Sequence, residues 1–208
     1  MPDGQSTLDH LDLTSLGRVE LLRGPASALY GNGSGGVLRF ETRPPSPLSF
    51  QEELNLVAGG HGLTRLSSLS HGTLGSTGYL LSMGWTEFGG YRADPITRGD
   101  PYGEARRKNL LGRVSHPLAG GDLRLSFDVL DLDSENPGSL TREQVMEEGD
   151  IANPFNVLQK TGKAIKQGQL GLSWSGPVPG GEGMLAGFGI LRNVDNPIPP
   201  AIVDLDRL

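Results

Sequence analysis

The stretch of sequence that decides the fold is residues 17–43, GRVELLRGPASALYGNGSGGVLRFETR. Its pattern predicts four successive elements: a strand over residues 18–22, one turn of helix over 25–30, a glycine-rich turn over 31–36 and a second strand over 37–42. Pro25 suits the first helical position, where its missing N–H costs nothing, and Gly31 suits the residue just past the helix end. The stretch is therefore predicted to be two strands joined by a short helix and a tight turn.

The glycines of this stretch also match a nucleotide-binding pattern. Gly31, Gly33 and Gly36 fit G-x-G-x-x-G, the fingerprint of dinucleotide-binding folds. That fingerprint needs a strand before the glycines and a helix after them, whereas here a helical turn precedes and a strand follows. Glu52 and Glu53 lie at roughly the distance expected of the ribose-binding acid, but no βαβ unit surrounds them. Glycines that permit positive φ in a tight turn are the favoured interpretation, and a nucleotide-dependent enzyme is the weaker alternative.

The same stretch resembles the end of the plug domain of TonB-dependent outer-membrane receptors. The resemblance rests on the run from Val19 to Gly31 and on the Gly-Gly-Val that leads into the second strand. Its signature residues are Arg18, Glu20, Arg23, Gly24, Pro25, Tyr30, Gly31, Gly35 and Gly36.

The resemblance implies a fold, a function and a location. It implies the C-terminal part of a plug domain over residues 1–45 and the N-terminal part of a transmembrane β-barrel, incomplete, over 46–208. The family barrel has about 22 strands. Such receptors sit in the outer membrane, bind a scarce nutrient, usually a ferric siderophore, and take up energy from the inner-membrane TonB complex. The partners implied are therefore that complex, the nutrient and outer-membrane lipid.

Composition narrows the function classes. The chain has 208 residues, 32 glycines, 36% hydrophobic residues and a mean hydropathy of -0.27, values that suit a soluble all-β protein or a barrel in which alternate residues face lipid. The net charge of -6 argues against a nucleic-acid binder. Cysteine is absent, and the four histidines, at positions 10, 61, 71 and 116, lack metal-ligand spacing. No catalytic motif occurs, so neither an enzyme, a metal site nor a cofactor is predicted.

After the prolines at 44, 45 and 47 the sequence changes to period-two alternation, which gives each strand one apolar and one polar face. This predicts an all-β region of about seven antiparallel strands. They lie near residues 53–58, 63–71, 79–86, 109–116, 122–129, 169–174 and 184–191. A soluble β-rich binding module, such as a carbohydrate binder or an adhesin, would show the same alternation and stays open as the alternative.

The predicted connections favour the barrel. In order they lie near 59–62, 72–77, 89–104, 118–121, 131–163 and 176–183. From the second onward, short and long alternate, as they do in outer-membrane barrels with short periplasmic turns and long external loops. Tyr79, Trp85, Phe88 and Trp174 fall near strand ends, where an interfacial girdle would place them, although the aromatic content is only 6%.

The longest predicted loop is acidic. Thr141 and Gln144 form a capping box that predicts a short helix reaching about Glu148. Seven acidic residues, at 131, 133, 135, 143, 147, 148 and 150, face one basic residue, Arg142. A solvated loop is the plain interpretation, and an external ligand-contacting loop is the sharper one, although acidic density would not attract an anionic siderophore. The candidate ligand contacts of the external loops are Tyr91, Arg92, Asp131, Asp133 and Arg142.

Four arginines of the plug-like region, at 18, 23, 39 and 43, are interleaved with Glu20 and Glu41. Arginine forms geometrically specific pairs with carboxylates. Glu53 has the opposite parity to Leu54 and Leu56, so it is predicted to point away from lipid. The candidate plug–barrel ion pairs therefore join Arg23, Arg39 or Arg43 to Glu53. Local pairing, for instance of Arg18 or Arg23 with Glu41, is the alternative.

Some features of the family are missing. The N-terminus carries neither a basic region nor an apolar run of a signal peptide, and the energy-coupling segment and early plug are absent. Seven strands cannot close a barrel of the family's size. We therefore expect an internal fragment of a receptor, inactive on its own.

Overall fold

The computed structural model describes residues 8, 9, 11–24 and 36–197, and the chain is mostly β. The predicted helical turn over 25–30 and the signature residues Pro25, Tyr30, Gly31 and Gly35 lie outside the described residues.

A two-stranded hairpin forms the N-terminal part. Strand β1 (Leu16–Arg23) pairs antiparallel with β2 (Gly36–Thr42), and Glu20 lies opposite Arg39. Both strands predicted from the opening stretch are confirmed. A single 3-10 turn, Leu13–Ser15, precedes β1, and Asp12 caps it by accepting a hydrogen bond from the Thr14 N–H at 3.1 Å.

A seven-stranded antiparallel sheet forms the main body, and the number of strands predicted for this region is confirmed. The remaining strands of the chain are β3 (Gln51–Ala58), β4 (Thr64–Leu74), β5 (Thr77–Phe88), β6 (Arg92–Ala93), β7 (Pro101–Tyr102), β8 (Ala105–Leu118), β9 (Gly121–Glu135), β10 (Gly162–Val178) and β11 (Gly181–Asp195). The sheet has the order β11-β10-β9-β8-β5-β4-β3, and β6 and β7 pair separately within the loop that joins β5 to β8. Each large strand thus pairs with the large strands that precede and follow it in the sequence.

The connections divide between the two ends of the sheet. Two-residue turns at 75–76, 119–120 and 179–180 share one end, here called the turn end. The connections 59–63, 89–104 and 136–161 share the other, here called the loop end. The predicted alternation of short and long is therefore confirmed.

The longest loop is shorter than predicted, because β9 continues through residue 135 and β10 already starts at 162. It contains helix α1 (Arg142–Glu148) with the predicted Thr141–Gln144 capping box, and a further helix, α2 (Pro154–Leu158). Within the described part of the chain, no helix is long and apolar enough to cross a membrane.

The sheet is open, since β3 and β11 each pair along one side only among the described residues. Its two faces differ. One face, here the covered face, carries the buried side chains Leu69, Leu80 and Leu111 and lies beneath the N-terminal residues. The other, here the apolar face, carries Leu54, Leu56 and Leu172, all more than half exposed.

Candidate functional site

The apolar face presents a band of large side chains to the surroundings. On β8, β9 and β10, alternation puts mainly leucine and valine on this side and mainly serine, arginine and glutamine on the other. On β3 and β4 this side also carries Glu52, which accepts hydrogen bonds from the Ser68 and Ser70 hydroxyls. Its exposed members are Leu54, Leu56, Leu66, Met83, Leu125, Val129, Leu170 and Leu172, which are between 38% and 72% exposed. A contiguous apolar surface of this kind marks contact with a partner or a membrane.

Aromatic residues with polar partners lie at both limits of this band. Near the turn end, Trp174 donates its indole N–H to the Leu118 carbonyl at 2.9 Å, and the Tyr79 hydroxyl donates to the Ser49 carbonyl at 3.0 Å. Near the loop end, Trp85 lies opposite Lys108 in the register. Rings with one apolar and one polar side suit a boundary between an apolar and an aqueous medium.

Charged residues end the band on the loop side. In one cross-strand row Asp131 lies between Lys108 and Lys166, and in the next Asp133 lies opposite Arg106. Opposite charges on neighbouring strands stabilise the pairing. The prediction that Asp131 and Asp133 belong to an external loop is therefore wrong: both are strand residues, because the alternation of β9 persists with acids in place of leucines.

The covered face carries buried leucines together with polar and charged side chains, and the polar ones bind the N-terminal residues. Arg107 donates from Nη2 to the Leu11 carbonyl at 2.6 Å, and Lys163 forms an ion pair with Asp9. Between these residues and the sheet lies a cavity of about 240 Å³. Its polar lining includes Asp12, Thr42, Arg113, Asp128 and Gln169.

The predicted contact between Arg43 and Glu53 is present. Arg43 Nη1 lies 2.8 Å from both carboxylate oxygens of Glu53, and the Arg43 N–H donates to the Ser15 carbonyl at 2.8 Å. Glu53 is on the covered face, opposite in parity to Leu54, as predicted. This ion pair joins the end of the hairpin to the first strand of the sheet.

The other arginines of the hairpin pair locally. Arg39 contacts Glu41 at 2.7 Å and Glu20 at 3.4 Å, and Arg18 contacts Glu20 at 2.5 Å. Arg23 makes no ion pair within the described residues. Pairing to the sheet is therefore wrong for Arg39, because glutamates on its own hairpin are within reach. Glu20, rather than the expected Glu41, takes Arg18.

The proline-rich segment 44–49 lies against β4 and β5 near the turn end. Thr73 donates its hydroxyl to the Ser46 carbonyl at 2.7 Å and its N–H to the Leu48 carbonyl at 2.8 Å. Two glycines make room for this segment: a Cβ at Gly72 would lie 2.4 Å from the Ser49 carbonyl oxygen, and one at Gly78 would lie 2.6 Å from Pro45. The junction between hairpin and sheet thus passes close to both faces, with Pro45 against Gly78 on the covered face and Ser49 against Gly72 on the side of Tyr79.

At the loop end, two of the predicted ligand contacts come together with a histidine. Arg92 lies over the Tyr91 ring at 5.7 Å, and the His61 ring lies edge-on to Tyr91 with centroids 6.0 Å apart. Arg142 lies on α1 and shares no hydrogen bond, ion pair or ring contact with them. Sequence reasoning missed His61. The available signal was that its tight loop, 59–62, shares an end of the sheet with 89–104.

The two long loops are joined to each other. Arg92 donates from Nη1 to the Gly138 carbonyl at 2.7 Å, and Ala93 forms a parallel bridge with Ile151. Ala152 is fully buried beside this bridge, and its N–H donates to the Ala93 carbonyl at 2.9 Å. The loops therefore form one folded unit.

Tyr102, at the base of this loop unit, is 8% exposed. Burial raises the pKa of its phenol, and the carboxylates of Glu135 and Asp94 raise it further because they oppose the phenolate charge. Glu135 is held in place by the N–H groups of Gly103 and Glu104, each 3.0 Å from Oε2.

No protein-family model matches the sequence. Among the described residues, no group of three or more histidine, aspartate or glutamate side chains is arranged to hold a metal ion.

Proposed function

We propose that this chain is part of a TonB-dependent outer-membrane receptor that takes up a scarce nutrient, in the first instance a ferric siderophore, with energy from the inner-membrane TonB complex. The hairpin and the residues before it belong to the end of the plug domain, and the seven-stranded sheet belongs to the wall of the barrel. The role is transport, with no catalytic step.

The observation that carries the proposal is the contrast between the two faces of the sheet. Lipid satisfies no hydrogen bonds, so a wall strand in a membrane must present apolar side chains outward, and its polar side chains must face the interior. The exposed band from Leu123 to Val129 on β9 spans six residue steps, or about 20 Å. Aromatic residues bound it at both ends and a charged row bounds it at the loop end, as expected of side chains at membrane interfaces.

The hairpin supports the same proposal from the other side. It lies on the covered face, where a plug would lie, and the contacts that hold it include ion pairs such as Arg43–Glu53. Half-exposed ion pairs are individually weak. Separation of the plug from the wall under load would break these pairs and would uncover the part of the covered face that carries Leu69, Leu80 and Leu111.

The seven strands would supply about a third of a 22-stranded wall. Among the described residues the outer edges of β3 and β11 are unpaired, and in a membrane each would need a further strand, because hydrocarbon leaves unpaired backbone groups unsatisfied. We infer from these open edges that the seven strands transport nothing by themselves.

The test is membrane recovery and uptake of the full-length receptor. We expect it in outer-membrane fractions, with migration on a gel that shifts on heating, and with nutrient uptake that stops when the TonB complex is deleted. Complete recovery in a soluble fraction would contradict the proposal and support a soluble binding module. If the protein is recovered in the outer membrane but uptake persists without the TonB complex, the barrel part of the proposal stands and its energy coupling to that complex is wrong.

A further inference from the structure

Three cations lie near one another on the covered face, and two of them, Arg107 and Lys163, bind the N-terminal residues. Arg65 and Arg107 occupy one cross-strand row, separated by Thr86, and Lys163 lies one row nearer the loop end. We call Arg65, Arg107 and Lys163 the basic strip. Neighbouring positions in these two rows are uncharged, namely Leu132, Ser134 and Ile165, and a sheet carboxylate outside the two rows, Asp128, favours the charged form of Arg107.

The charge opposite the strip comes from the N-terminal strap, defined here as Leu8, Asp9, Leu11 and Asp12. Asp9 pairs with Lys163, the Leu11 carbonyl accepts from Arg107, and Asp9 and Asp12 both lie within electrostatic reach of Arg107. The strap thus offers the strip two carboxylates and one carbonyl, the acceptors that an anionic solute would offer.

The fit of the strap to the strip is incomplete. Asp12 is only 5% exposed, yet its Oδ2 has no hydrogen-bond partner among the described residues, and the buried Nε of Arg107 has none either. Buried polar atoms are normally satisfied. A cavity of about 240 Å³ adjoins the strap at Leu11 and Asp12, and its further polar lining, which includes Arg113, Asp128 and Gln169, lies outside the strip.

We propose that the basic strip is an anion-binding site for a small oxyanion-bearing solute, which the acidic strap occupies and thereby blocks. Guanidinium groups bind carboxylate and phosphate oxygens through charge-assisted hydrogen bonds, which are stronger than the neutral kind. An anion that reaches the strip competes directly with Asp9 and Asp12 and releases the strap. This site is independent of the proposed transport, because it requires only the covered face and the strap.

The experiment follows release of the strap in the purified protein, kept in an uncharged maltoside detergent. The chain has no cysteine, so Leu13→Cys, at a 71% exposed position next to the strap, accepts a single spin label. Inorganic phosphate is the probe, and sodium chloride at equal ionic strength is the comparison. We expect phosphate to mobilise the label at a concentration about tenfold below that of chloride, the difference that one charge-assisted hydrogen bond provides.

Variants distinguish phosphate binding at a specific site from general screening of charges by salt. In Asp9→Asn/Asp12→Asn the phosphate midpoint should fall about tenfold, because the competing carboxylates are gone, and in Arg107→Gln it should rise about tenfold. Arg18→Gln, on the exposed part of the hairpin, is the matched control and should leave the phosphate midpoint unchanged. Equal responses to phosphate and chloride, or a midpoint unchanged in Arg107→Gln, would overturn the proposal. If Arg107→Gln fails to fold, equilibrium dialysis of phosphate against the Asp9→Asn/Asp12→Asn variant decides: no binding overturns it.

Discussion

Arg43 and Glu53 connect the hairpin to the sheet through one guanidinium nitrogen that lies 2.8 Å from both carboxylate oxygens. The two side chains remain 37% and 35% exposed, so water screens the pair. Exposed ion pairs contribute about 0.2–1 kcal/mol. We therefore expect a double-mutant cycle of Arg43→Gln and Glu53→Gln, followed by urea denaturation, to give a coupling free energy below about 1 kcal/mol that fades at high salt.

The hairpin offers a matched control for this cycle. Arg39 and Glu41 form a pair of similar exposure and length, 2.7 Å, but they join neighbouring positions of one strand. Their cycle should give a similar coupling without altering how the hairpin sits on the sheet. A coupling of several kcal/mol for Arg43 and Glu53, unchanged by salt, would contradict the picture of a weakly held plug.

The apolar face can be tested at adjacent residues of one strand. Leu172 is on the apolar face and Ser173 is on the covered face of β10. If the apolar face meets lipid, Leu172→Arg should destabilise the inserted protein by about 2–4 kcal/mol, the cost of arginine near the bilayer midplane, whereas Ser173→Arg should insert normally. Recovery in outer-membrane fractions and heat-dependent gel migration measure this.

A different result is expected if the apolar face contacts water instead of lipid. On a water-exposed sheet, a change at a half-exposed leucine alters the free energy of unfolding by only about 0.5 kcal/mol. Equal recovery of Leu172→Arg and Ser173→Arg would therefore mean that the apolar face does not contact lipid.

The close approach of segment 44–49 to the sheet depends on the absence of a side chain at Gly72. Because a Cβ at Gly72 would meet the Ser49 carbonyl at 2.4 Å and the Tyr79 hydroxyl at 2.9 Å, Gly72→Ala should displace segment 44–49 and destabilise the protein by about 1–3 kcal/mol. Urea denaturation measures the loss, and hydrogen exchange of the Thr73 N–H, which binds the Leu48 carbonyl, locates it. Gly168→Ala is the control, since its Cβ would meet nothing within 4 Å. Equal effects of the two substitutions would contradict a tight seat.

The sequence predicts the sheet well because period-two alternation is a local signal. It locates all seven large strands, and parity alone places Glu53 on the side away from Leu54. The same rule fails at Asp131 and Asp133. These residues continue the alternation on the apolar face, but acids at positions where leucine or valine is expected resemble the composition of a loop. There the opposite charges in register, Lys108, Lys166 and Arg106, lie on other strands.

The candidate sites are less predictable because their contacts are long-range. Nothing local in residues 89–104 indicates that Ala93 will bridge to Ile151, since that pairing depends on how two loops fold over one edge. Helix α2 is different: Asn153 caps it and Pro154 opens it, a recognisable start signal, but its five residues give no periodicity to confirm it.

Tyr102 gives the loop unit a predicted alkaline sensitivity. Its pKa is raised in the folded protein above the ordinary value of about 10, so the unfolded chain loses the phenol proton first as the pH rises. The contribution of this phenol to the free energy of unfolding is fully present below about pH 10 and is lost as the pH rises through the pKa of the folded phenol.

Urea denaturation at a series of alkaline pH values should show this loss of stability, and phenolate absorbance in the ultraviolet should show a tyrosine that titrates later than the others. Tyr102→Phe should abolish the late phenolate signal, and Glu135→Gln should shift it to lower pH by removing a charge that opposes the phenolate. A late signal that survives in Tyr102→Phe would assign it to another residue and contradict the burial argument.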